Sequence, residues 1–129
     1  MTDQYAADLD KMVAVAVNAL EDIKGKDITV LDTSAQTSLF SRMIIASGDS
    51  TRQVKALANN VAVDLKEAGF EILSSEGLDS SEWALVDAGD LVVHVMQPAV
   101  RDYYDIEALW GGEKPSFHTG AAKPWHAAD

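Results

Sequence analysis

The segment from Trp83 to Met96 gathers the side chains best suited to chemistry: Trp83, Leu85, Asp87, Asp90, His94 and Met96. Asp87 and Asp90 are the kind of carboxylate pair that can hold Mg²⁺ or share general acid–base work. His94 is a possible proton carrier beside them. The same residues also suit a protein-docking face, because aromatics and Met concentrate at interface centres with charge at the rim. A second small core beneath a helix would use them equally well. Against catalysis, no recognisable motif fixes a Ser, a Cys or a further carboxylate beside His94. The remaining histidines, His118 and His126, lie far along the chain, and no His pair stands at metal-ligand spacing. Aspartates are common at turns because they tolerate turn geometry. No cofactor or metal is therefore expected. Ser47-Gly48-Asp49-Ser50 opens a helix whose N-terminus could hold a phosphate, but Asp49 opposes an anion, no P-loop Lys follows, and capping explains the segment.

What these residues share depends on how a hairpin folds. Trp83–Val86 and Leu91–Met96 read as two strands joined at Ala88-Gly89. A two-residue turn there sets Asp87 opposite Asp90, Leu85 opposite Val92, and Trp83 opposite His94. One face then carries Trp83, Leu85, Val92, His94 and Met96; the other, with Ala84, Val86, Leu91, Val93 and Val95, is purely aliphatic and suits a helix-covered core. The alternative is a type I turn with Gly89 as a bulge, which slips the register and sets Trp83 beside Val93.

The surrounding elements follow from periodicity. Leu9, Met12, Val13, Ala16, Leu20 and Ile23 recur at helical steps, with Gly25 expected to end that helix. Asp27–Leu31 is a short β-branched strand, and Met43–Ala46 an apolar run suited to a strand buried on both faces. Ser50 and Gln53 form a capping-box pattern before the stripe Val54, Leu57, Ala58, Val61, Leu65 and Ala68, and Gly69 stops the helix. Phe70–Leu73 is expected as a weak strand, Ser74–Ser81 as a loop, and Asp102–Trp110 as a short helix with Ile106, Leu109 and Trp110 on one side. The order predicts a single α/β domain, a mixed sheet of about five strands covered by helices. Residues 1–112 are expected to form that domain and 113–129 a loosely held tail.

Composition bounds the function. The 129 residues contain no Cys, which excludes disulfides and thiolate metal sites. No apolar run reaches membrane-spanning length, and the first residues are too polar for a signal peptide, so a cytoplasmic location is expected. A net charge of −11 disfavours bare nucleic acid, whose binding needs Lys and Arg to displace counterions. From Glu67 to Val100 there is no Lys or Arg, while Glu67, Glu71, Glu76, Asp79, Glu82, Asp87 and Asp90 all lie there. Such asymmetry suits a surface that meets a cationic partner.

Several stretches together resemble the Iojap-like family of ribosomal silencing factors. They are Gly25-Lys26-Asp27-Ile28 with Asp32, Met43 to Gly48 followed by Ser50, Arg52 and Val54, and Glu76-Gly77. Trp83, Val86-Asp87-Ala88-Gly89-Asp90, Val93-His94-Val95, and Arg101 through Tyr104 to Leu109-Trp110 complete the set. The likeness runs from about Leu20 to Trp110, in matching order and spacing. It implies a mixed-sheet α/β fold of nucleotidyltransferase-like topology that lacks the catalytic Gly-Ser and downstream Asp-x-Asp. It further implies a non-enzymatic protein that binds ribosomal protein fourteen of the large subunit, blocks small-subunit joining and lowers translation when nutrients run short. Trp83 matches the family's interface tryptophan, and Asp87, Asp90 and His94 match the positions around it; Leu85 and Met96 share their face. Ser41 departs from the family pattern, which commonly has Asp there. A homodimer through the same face is compatible with this expectation. The competing expectation is a nucleotidyltransferase-like enzyme using Asp87 and Asp90 with a metal ion.

Overall fold

A computed structural model describes residues 2–77 and 82–110; the expected tail, 113–129, lies outside them. The chain forms helix α1 (Thr2–Asp22), strands β1 (Lys26–Asp32) and β2 (Arg42–Ser47), and helix α2 (Thr51–Glu67). Strands β3 (Ser74–Glu76), β4 (Trp83–Asp87) and β5 (Leu91–Met96) follow, then the short helices α3 (Pro98–Tyr104) and α4 (Ile106–Leu109). The strands make one mixed sheet in the order β1-β2-β5-β4-β3. Only the central β2–β5 pair is parallel; the other pairs are antiparallel.

Helices α1 and α2 pack together on one face of this sheet. The apolar stripe of α1 (Met12, Ala16, Ala19 and Leu20) and that of α2 (Val54, Leu57, Ala58, Val61 and Leu65) meet Ile44, Ala46, Ala84, Val86, Val93 and Val95 in one core. The aliphatic side of the hairpin is thus buried under helices, as its lack of polar atoms requires. β2 is buried on both faces, in keeping with its central place beside a parallel neighbour.

Two capping details lock the helix pair. The Ser50 hydroxyl accepts the Gln53 amide at 3.0 Å, the first half of a capping box. The Gln53 side chain reaches back one residue further than that motif predicts, accepting the Asp49 amide at 2.7 Å. Its Nε2 donates to the carbonyls of Ile23 and Lys24, tying the start of α2 to the end of α1. At that end Lys24, with φ of 63°, takes the left-handed position expected of Gly25. Gly25 instead donates to the Leu20 carbonyl at 2.8 Å. A Cβ on Gly25 would lie 3.0 Å from that oxygen and 3.1 Å from the Leu57 side chain, so close approach of α2 explains the glycine. Gly69, with φ of 98°, ends α2 as expected.

Two expected elements are displaced. The edge strand is Ser74–Glu76, not Phe70–Leu73, because Phe70 and Ile72 pack against the helix-covered core. The expected helix Asp102–Trp110 begins earlier and is broken in two. Pro98 sits in the first turn of α3, where its missing N–H costs nothing. Asp105, with φ of 49°, ends α3 and turns the chain into α4.

Candidate docking face

The strand registers assemble the second face of the sheet into rows. Glu76, Leu85, His94, Ile45 and Thr29 lie side by side across the sheet, as do Ser74, Asp87, Val92, Met43 and Leu31. Helices α3 and α4 cover the β1, β2 and β5 part of this face and reach Trp83 at the start of β4. Ile106 packs on Met43, Ile45 and Met96, and Phe40 meets Trp110 edge-to-face at 5.2 Å. Leu85 of β4 and the edge strand β3 lie beyond that cluster.

Arg101 fastens the cover. Its side chain, 1% exposed, donates from Nε to Glu107 Oε2 at 2.8 Å, from Nη1 to the Ser47 hydroxyl and from Nη2 to the Thr29 hydroxyl. One guanidinium therefore joins α3, α4, β2 and β1. Burial pulls Arg101 below its ordinary pKa, and the Glu107 carboxylate pushes the other way. Breaking such a pair strands a buried charge, so α4 is held in a fixed place.

The hairpin register differs from both expectations. Trp83 pairs with Met96, Leu85 with His94, and Asp87 with Val92. Ala88 donates to the Leu91 carbonyl, so the turn residues are Gly89 and Asp90. Gly89 has φ of 89° while Asp90 stays at negative φ, the pattern of a type II′ turn with Gly first. Relative to a turn at Ala88-Gly89 the pairing slips by two residues. An even slip preserves which side chains share a face. Trp83, Leu85, Asp87, Val92, His94 and Met96 accordingly lie on one side, though with different direct neighbours.

Trp83 and His94, now diagonal, are joined by a hydrogen bond. The indole Nε1 donates to His94 Nδ1 at 2.9 Å. Because an indole only donates, Nδ1 carries no proton, and the ring proton sits on Nε2. Burial lowers the His94 pKa from 6.5 to about 4, so the imidazole is neutral at physiological pH. Trp83 also contacts Tyr104 at a ring-centroid distance of 4.9 Å. The indole is thus clamped between β5 and α3.

The remaining expected residues separate. Leu85 is half-buried in the open part of the face. Met96 is fully buried beneath Ile106 and supports the face from below, a place it owes to α3–α4 folding over β5. Asp87 Oδ1 accepts the Gly89 amide at 2.9 Å, which fixes the turn. The Asp90 carbonyl accepts the amides of Ser41 and Arg42, anchoring the entry to β2. Among the described residues no group of three or more His, Asp or Glu is arranged to hold a metal ion. Ser41, where the family commonly has Asp, hydrogen-bonds the Tyr5 hydroxyl at 2.6 Å. Asp49 forms an ion pair with Lys26 at 2.7 Å, so the α2 N-terminus already faces a carboxylate.

Between β4 and the α4 wall runs an apolar groove of about 610 Å³. Leu39, Phe40, Leu73, Leu109 and Trp110 line it together with Trp83, Leu85 and His94, and Asp87 stands at its edge. Leu39 is 80% exposed and Leu109 75%, and Leu73, Tyr103 and Tyr104 are also open to solvent. Large apolar side chains scattered singly carry no message, whereas a cluster around one groove makes it a candidate interaction site. Leu39, Leu73 and Tyr104 were not among the expected site residues. Leu39 sits in a segment without periodicity, and the expected elements holding Leu73 and Tyr104 did not mark them as exposed.

Comparison with known proteins agrees with this architecture. The family described as "Ribosomal silencing factor during starvation" (RsfS) matches residues 6–128. A ribosomal silencing factor RsfS of Chromobacterium violaceum is 71% identical over 120 residues, covering 93% of this chain and 98% of that protein. The RsfS of Haemophilus influenzae is 39% identical over 99 residues, covering 77% of this chain and 97% of that protein. A crystal structure of a Chromobacterium violaceum protein superposes with a TM-score of 0.82 at 72% identity, over 90% of this chain and 97% of the other. By sequence and by fold, the chain belongs to the RsfS family of ribosomal silencing factors.

Proposed function

We propose that this protein binds the large ribosomal subunit through the open half of its second sheet face and silences translation by steric block. The partner implied by the family likeness is ribosomal protein fourteen of that subunit. Occupying its surface obstructs small-subunit joining, so no chemical step is needed. The observation that carries the proposal is the half-covered face: an apolar groove beside Trp83, ringed by exposed leucines, with Asp87 in its lining and Glu76 in the adjoining recess. Groove and acids together suit a basic protein surface, with apolar anchors in the centre and charge at the rim. Binding that needs only a rigid shape fits a site in which Asp87 Oδ1 and His94 Nδ1 are held by internal hydrogen bonds.

Co-sedimentation with isolated large subunits tests this. Leu109→Ser changes an exposed side chain that no core contact needs, and Trp83→Ala removes the central aromatic. Truncating a buried interface aromatic costs on the order of 2 kcal/mol. Both variants should remain folded and sediment poorly with the subunit. Wild-type recovery by both would remove this face from the interface.

A further inference from the structure

Trp83 also lines a second recess. Glu76, Gly77, Leu85 and His94 enclose with it a space of about 300 Å³. Its wall is placed by the edge strand: β3 pairs Glu76 with Leu85, which puts the Glu76 side chain on the docking face. Gly77 follows with φ of 78°, and a Cβ there would collide with the Trp83 carbonyl oxygen. The glycine thus lets the edge strand close tightly against the start of β4.

The chemistry of this recess is one-sided. Among the described residues it offers an indole ring, a leucine, a neutral imidazole and one carboxylate, and no Lys or Arg. The span Glu67–Val100 contains no Lys or Arg. We propose that this recess receives a lysine or arginine side chain of the ribosomal partner, packed against the Trp83 indole and paired with the Glu76 carboxylate. The inference rests on the docking function proposed above and adds the polar half of the recognition. A cation over the face of a tryptophan is attracted by the ring quadrupole, and a carboxylate within reach adds directional hydrogen bonds. Arginine fits best, because its planar guanidinium can stack on the ring while its fork engages a carboxylate. The uncharged state of His94 matters here, since an imidazolium on the recess floor would repel the incoming cation. The recess and the apolar groove share Trp83, Leu85 and His94, so a partner that seats an apolar anchor in the groove carries its neighbouring side chains to Glu76.

The test uses full-length protein and salt-washed large ribosomal subunits in a co-sedimentation titration with wild type, Glu76→Gln, Glu76→Lys and Glu21→Gln. Glu76 and Glu21 are both exposed, and Glu21 belongs to α1 on the opposite side of the sheet, so the two glutamine variants change net charge equally. Thermal melts confirm that each variant is folded. Glu76→Gln should weaken binding about tenfold, a typical loss for one partner of an interfacial charge pair. Glu76→Lys should weaken it further, and Glu21→Gln should match wild type. If Glu76→Gln and Glu21→Gln bind alike while wild type binds well, the cation recess is wrong and the docking face stands. If wild type itself does not sediment with the subunit, both ideas fail together.

Discussion

Lowering the pH should destabilise this protein through one histidine, and the size of the effect follows from its burial. His94 is folded as a neutral ring, with its pKa at about 4 against 6.5 when exposed. Between those values the unfolded chain binds a proton that the folded one refuses. Stability is therefore complete above pH 6.5 and is lost as pH falls toward 4. The loss from this group should reach roughly 2 kcal/mol at pH 5 and about 3 kcal/mol near pH 4. Protonating Nδ1 also removes the acceptor for the Trp83 indole, so the cost falls on the docking face itself. Urea unfolding of wild type and His94→Asn across this range isolates the effect, because Asn retains an acceptor but does not titrate. Wild type should lose stability faster than the variant on acidification. Parallel loss in both would refute the argument that a neutral, desolvated His94 sits beneath Trp83.

Further outcomes follow from named contacts. Arg101→Ala strands the buried Glu107 carboxylate and should cost about 3–5 kcal/mol in chemical unfolding, whereas Arg101→Met with Glu107→Leu should recover most of it. Ser50→Ala removes the α2 cap and should cost about 1 kcal/mol, seen as a lower thermal midpoint with subunit binding unchanged. Binding to large subunits should weaken as ionic strength rises, because an acidic face meeting a basic one is screened by salt.

The core was legible in the sequence because period carries it. Val54, Leu57, Val61 and Leu65 mark one face of a helix, and Ala84, Val86, Val93 and Val95 one face of a hairpin, whatever the exact pairing. Face membership survived an incorrect register because the slip was even; a slip of one residue would have turned Trp83 toward the helices. The placement of Gly89 as the first turn residue was not readable, since Asp-Ala-Gly-Asp suits several turns and the choice is settled by pairing along the strands. The burial of Met96 depends on a helix that starts at Pro98 and breaks at Asp105, held by an Arg101–Glu107 pair with no local pattern. Leu39 and Leu73 reach the groove from two loops, where exposed apolar residues have no period to betray them, and the period that marked Leu109 did not point to a groove. Trp83, Leu85 and His94 could be assigned to the face; its extent could not.

The proposed function reduces to occupancy of the large subunit at a surface the small subunit needs. A subunit-joining assay with purified subunits, followed by light scattering or gradient sedimentation, measures that directly. Added protein should reduce joining in a saturable way, and Leu109→Ser at the same concentration should restore it. Undiminished joining with the large subunit saturated by this protein would contradict the account.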